Sequence, residues 1–142
     1  MELKIILVHC ILIVLSYSDL IQATTHAEMD KLGEYCNGKE EDIKVMKSWR
    51  VPSSDTGKCL MQCVSNIYKM FDANGIYDEK TTEQSIIASW PDKPAKDAPI
   101  IAKHCEGMMR NAPRSKLKTC DLSYDLMKCI NDKAWELGWF GH

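Results

Sequence analysis

Apolar residues recur at every third or fourth position along most of the chain, which is the spacing of one helix face. The clearest stretch runs from Cys59 to Phe71, where apolar residues repeat every four positions. No alternation of apolar and polar residues persists over the length of a strand. The pattern therefore predicts an all-α fold.

Capping and breaking residues divide the pattern into six helices. Thr24 or Thr25 is placed to cap the first helix, and the second extends from Glu40 to Trp49. The third carries the repeat that ends at Phe71, before an Asp-Ala-Asn-Gly turn. These positions predict the first half of a compact helical bundle.

The second half of the chain carries equally clear signals. Thr81 opens a capping box for the fourth helix, and Asp97 is predicted to cap the fifth. The sixth helix runs from about Thr119 to Leu137, and Gly138 is its predicted stop. Residues 24–142 thus form one predicted domain.

The first 23 residues have the layout of a secretory signal peptide. An apolar run from Ile5 to Leu15 is followed by polar residues and by the small Ala23. The run is shorter than the roughly 20 residues that a membrane-spanning helix needs. We expect cleavage near Ala23, secretion of residues 24–142 and no membrane span.

Charge excludes some partners. The chain has a formal net charge of −2 and no basic stripe, so neither nucleic acid nor an anionic membrane surface is an expected partner. No nucleophile elbow, zinc motif or calcium loop with correct spacing is present. We therefore expect neither an enzyme nor a cofactor.

Cysteines carry the strongest signal. Cys10 lies in the predicted signal peptide, and the six that remain form an even set typical of a disulfide framework. Cys59 and Cys63 share a helix face with Cβ atoms about 5–6 Å apart, too far for a disulfide. Cys120 and Cys129 are separated by about 13 Å of helix rise. Neither local pair can form, and the other pairings remain open.

The spacing Cys36-x22-Cys59-x3-Cys63-x41-Cys105-x14-Cys120-x8-Cys129 resembles the signature of the insect odorant-binding protein family, which includes the pheromone-binding proteins. The resemblance implies six helices around an internal apolar cavity. It also implies the pairs Cys36–Cys63, Cys59–Cys120 and Cys105–Cys129.

The same resemblance suggests ligand contacts. Relatives use polar residues just after the third cysteine, the residue after the sixth, an aromatic residue further on, and the C-terminal tail. Methionines suit the remaining wall because their side chains are flexible and polarizable. The predicted ligand-binding residues are Met61, Ser65, Asn66, Ile86, Trp90, Ile101, Met108, Ile130, Trp135 and Phe140.

The resemblance implies a secreted carrier that binds an odorant, a pheromone or a fatty-acid-like molecule and transports it through aqueous sensory fluid. The alternative is a related protein of another fluid, such as saliva or seminal fluid, that sequesters a lipid-like ligand or binds a protein. A third class, a disulfide-stabilised defence peptide, predicts no cavity. A sensory receptor and a second copy of the chain are further candidate partners.

Overall fold

The computed structural model describes residues 26–141, which form six α-helices and confirm the all-α fold class. The predicted signal peptide, residues 1–23, lies outside the described residues. Two short 3₁₀ segments, Ala95–Asp97 and Arg114–Lys118, precede the last two helices. The helices are α1 (26–35), α2 (Glu40–Lys47), α3 (Asp55–Ile67), α4 (Glu79–Ser89), α5 (Ala98–Arg110) and α6 (Asp121–Glu136).

Helix starts follow capping chemistry, with two corrections. Ser54 caps α3, because its hydroxyl accepts a hydrogen bond from the backbone N–H of Gly57 at 2.9 Å. The predicted cap Thr81 lies inside α4, and Asp78 caps this helix instead by accepting from the N–H of Thr81. Asp97 precedes α5, but its carboxylate accepts from the indole N–H of Trp139 rather than from the helix.

Four helices end in the same left-handed turn. Asn37, Trp49, Lys69 and Gly138 each have a positive φ just beyond a helix, and the N–H that follows bonds to a carbonyl five residues back. This turn ends α2 at Lys47, earlier than predicted. It also ends α3 at Ile67, although the apolar repeat continues to Phe71.

Three disulfides tie the helices together in the pattern that the family resemblance implies. Cys36, just after α1, bonds Cys63 on α3; Cys59 on α3 bonds Cys120 beside α6; and Cys105 on α5 bonds Cys129 on α6. The cross-links therefore connect α1, α3, α5 and α6, whereas α2 and α4 carry no cysteine.

The buried residues form two clusters. A larger one lies among α4, α5 and α6, and a smaller one consists of Leu60, Met61 and Val64 on α3. Tyr68 and Met127 pack against both clusters. No helix within residues 26–141 is both long and apolar enough to cross a membrane.

Candidate functional site

An apolar cavity of about 90 Å³ lies where the two clusters meet. Val64 contributes one wall from the smaller cluster, and Ile130 contributes another from the larger. Trp90 at the end of α4 and Tyr68 at the end of α3 add aromatic surface. Five helices therefore contribute to the cavity wall, and α5 is the one that does not line it.

Four methionines dominate the cavity wall: Met29 from α1, Met46 from α2, Met70 from the segment after α3, and Met127 from α6. Met70 comes directly after the left-handed Lys69, and its N–H bonds to the Ser65 carbonyl at 3.0 Å. Because unbranched thioether side chains change rotamer readily, this wall can adapt to ligands of different shape.

The cavity continues into an open groove of about 760 Å³ on the surface. Glu28, Leu32, Tyr68 and Ser89 line both spaces, so they form the mouth that joins them. This mouth lies between α1, the end of α3 and the end of α4. Glu28 supplies a carboxylate there, whereas the interior beyond it is almost wholly apolar.

An aromatic cluster closes the side of the cavity at Trp90. The Phe140 ring stacks on Trp49 at a centroid distance of 4.9 Å and lies 5.4 Å from Trp135 and 6.3 Å from Trp90. The indole N–H of Trp135 donates to the Trp49 carbonyl at 3.1 Å. Trp139 is only 6% exposed. The C-terminal tail is therefore folded into the molecule rather than frayed.

The structure brings only part of the predicted set to the cavity. Trp90 and Ile130 line it, and Trp135 and Phe140 contact its wall through the aromatic cluster. Asn66 lies outside, in the surface groove. Met61, Ile86 and Ile101 are fully buried core residues that do not line the space.

Met108 and Ser65 lie outside the cavity wall to which they were predicted to belong. Met108 is 49% exposed on the outer side of α5, so it is not part of the cavity wall. Ser65 is buried, and its hydroxyl lies 3.0 Å from the Gln62 carbonyl and 2.9 Å from the Ser123 hydroxyl. Because these two partners occupy it, Ser65 joins α3 to α6 rather than presenting a polar anchor to the cavity.

Sequence reasoning missed most of the wall, which includes Leu32, Val64 and Tyr68 as well as the four methionines. The methionines were the available signal, because they lie on several helices and recur on apolar faces. Nothing in the spacing distinguishes a residue that faces the cavity from one that faces the solid core. No metal-binding group of three or more His, Cys, Asp or Glu side chains occurs in the described part of the chain.

Six helices, three disulfide cross-links and a central apolar cavity with a mouth define a small helical binding protein. The chain matches the model of the PBP/GOBP family over residues 19–133, and it belongs to that family, the insect odorant-binding proteins. This is a family of binding and carrier proteins rather than of enzymes.

The fold is similar to that of odorant-binding protein dmelOBP28a from Drosophila melanogaster, with a TM-score of 0.60. That structure is 20% identical in sequence, and the match covers 82% of this chain and 94% of the other. The sequence matches no curated protein.

Proposed function

We propose that this protein is a secreted carrier that holds a small hydrophobic molecule in the methionine-walled cavity and transports it through an aqueous sensory fluid. The observation that carries the proposal is the cavity itself: an apolar space at the junction of two core clusters, with a mouth to the surface. An apolar molecule that enters it leaves water, which is favourable in proportion to the area buried.

The cavity is smaller than the roughly 300–1,000 Å³ typical of small-molecule sites. At about 90 Å³, it must expand to hold a ligand of ordinary odorant size. Rotation of Met46, Met70 and Met127 away from the centre supplies part of that space. We therefore propose that the ligand contacts these methionines together with Trp90 and Ile130.

Displacement of a fluorescent apolar probe by aliphatic alcohols, esters and aldehydes tests this function. The informative variant is Ser89→Trp, because Ser89 lines both the cavity and its mouth. An indole at this position occupies the entrance, and we expect probe affinity to fall at least tenfold, or about 1.4 kcal/mol.

Gln84→Trp is the matched control, because Gln84 is exposed on the same helix and lines neither space. This variant should bind the probe as the wild type does. Equal probe affinity of the Ser89→Trp variant and the wild type would place the binding site elsewhere. Failure of every apolar ligand to displace the probe would contradict the carrier function.

A further inference from the structure

A second pocket of about 450 Å³ lies between the 71–77 loop, the C-terminal half of α5, the Arg114–Lys118 segment and the start of α6. None of its lining residues lines the methionine-walled cavity. Its volume falls within the range of small-molecule sites without any rearrangement. The chemistry of its floor and rim therefore determines which ligand it can accept.

The floor of this pocket is apolar. Met109 and Leu122 are 8% and 6% exposed and belong to the larger core cluster, so the floor is part of the rigid interior. Phe71 and Leu117 pack against the same cluster and form the sides. Such a surface accommodates a hydrocarbon chain.

The loop that forms one wall is held in place by its own hydrogen bonds. The Asp72 carboxylate accepts from the backbone N–H groups of Asn74 and Ile76, both at 2.8 Å. Gly75 has a φ of +72°, and a Cβ there would lie 2.6 Å from a methyl carbon of Leu117. The loop thus packs closely on the Arg114–Lys118 segment, and the pocket is preformed.

The charged groups at the rim of this pocket differ in whether they have an ionic partner. The Glu106 carboxylate accepts from Lys103 at 2.6 Å and from Arg110, and the Lys103 ammonium holds the pKa of that carboxyl below its usual range. Arg114 makes a single long hydrogen bond, 3.4 Å, to the Asn74 carbonyl. No carboxylate within residues 26–141 forms a salt bridge with Arg114.

The remaining polar group on the wall does not oppose an anion. The Tyr77 hydroxyl donates to the Ala102 carbonyl at 2.9 Å, and burial raises the pKa of Tyr77 to about 12. The phenol is therefore neutral at physiological pH. With Glu106 already bound by two cations, the rim presents the guanidinium of Arg114 as its available charge.

We infer that this pocket is a second ligand site that binds an amphipathic carboxylate, such as a medium-chain fatty acid. The carboxylate would pair with Arg114, whose planar guanidinium suits bidentate recognition. The chain would lie on Met109 and Leu122. This site does not depend on the methionine-walled cavity, so either assignment can fail without the other.

Calorimetric titration with decanoate and with 1-decanol tests the inference, because the two probes differ chiefly in charge. We expect Arg114→Gln to weaken decanoate binding about fivefold or more and to leave decanol binding unchanged. Lys118→Gln is the matched control, since it removes an exposed cation from the same segment but outside the pocket lining. Equal loss in both variants would indicate general charge attraction and overturn the assignment.

Methyl NMR spectra locate the bound decanoate directly. We expect shifts at Leu117 and Leu122, and we expect these shifts to persist in the Ser89→Trp variant and to disappear in Ala112→Phe, which fills the pocket. Shifts confined to Val64 and Ile130 would place decanoate in the methionine-walled cavity and refute the second site.

Discussion

The buried carboxylate of Asp42 offers the sharpest test of how the cavity wall is held. Asp42 is 3% exposed on α2, and its two oxygens accept from the hydroxyls of Ser54 and Thr56, both at 2.6 Å. Ser54 is the N-cap of α3 and Thr56 lies in its first turn, and a Cβ on Gly57 would come within 2.8 Å of the carboxylate. Since α2 carries no cysteine, this contact is a principal link between α2 and α3.

Asp42→Ala should cost about 3 kcal/mol of unfolding free energy. A hydrogen bond to a charged group contributes about 1.5–3 kcal/mol, and two are lost. The lower end of this range, about 1.5 kcal/mol for each bond, applies because Ser54 and Thr56 are exposed and their hydroxyls regain water as a partner. Asp42→Asn keeps the shape and one good acceptor, so we expect it to cost roughly half as much.

Urea unfolding with the disulfides intact measures this cost, and the melting temperature of the Asp42→Ala variant should fall by roughly 10 °C. Asp30→Ala is the control. It removes another carboxylate that contacts α2, the partner of Lys47 at 2.9 Å, but the two side chains of that ion pair are 34% and 47% exposed, so the pair should contribute about 1 kcal/mol. If the two alanine variants lost equal stability, the proposed role of the buried carboxylate would be wrong.

Two further predictions concern the backbone and alkaline pH. Lys69→Gly should stabilise the protein by about 1 kcal/mol, because the backbone of Lys69 has a positive φ that glycine adopts more readily. Gln84→Gly, inside α4, should destabilise the protein. Urea midpoints of the two variants that move in the same direction would contradict this prediction. Burial raises the pKa of Tyr77 from 10.0 to about 12, so the unfolded chain loses this proton first and stability falls between those values. Tyr77→Phe should cost about 1 kcal/mol at pH 7 through loss of the bond to Ala102, and the deficit should shrink above pH 10 in urea titrations.

Helix content follows from local signals in the sequence, whereas the disulfide pairing is implied by the family resemblance, because each bond joins residues that are distant in the sequence. Apolar periodicity and capping residues depend on neighbours a few positions away, so the amino-acid order alone predicts the helices. The helix ends are harder to predict, because Trp49 and Lys69 adopt a left-handed turn that their residue types do not indicate. Tertiary contacts around those residues, such as the stacking of Trp49 on Phe140, select the turn.

The cavity wall depends on information that periodicity does not contain. Ile101 and Ile130 are equally apolar and equally buried, yet Ile130 lines the cavity whereas Ile101 lies in the solid core. The difference arises from how α5 and α6 pack against the other helices. Ser65 shows the same limit for polar residues, because its partner Ser123 is distant in the sequence.

The distribution of disulfides indicates which part of the wall can yield to a ligand. The cross-links fix α1, α3, α5 and α6 relative to one another, whereas α4 is held by packing, mainly against α5. The end of α4 supplies Ser89 at the mouth and Trp90 at the wall. A small outward shift of this end, together with rotation of the methionines, would enlarge the space without straining a disulfide. The parts of the wall that no disulfide holds are thus the end of α4 and Met46 on α2, and movement of these parts would let a cavity of about 90 Å³ admit larger molecules.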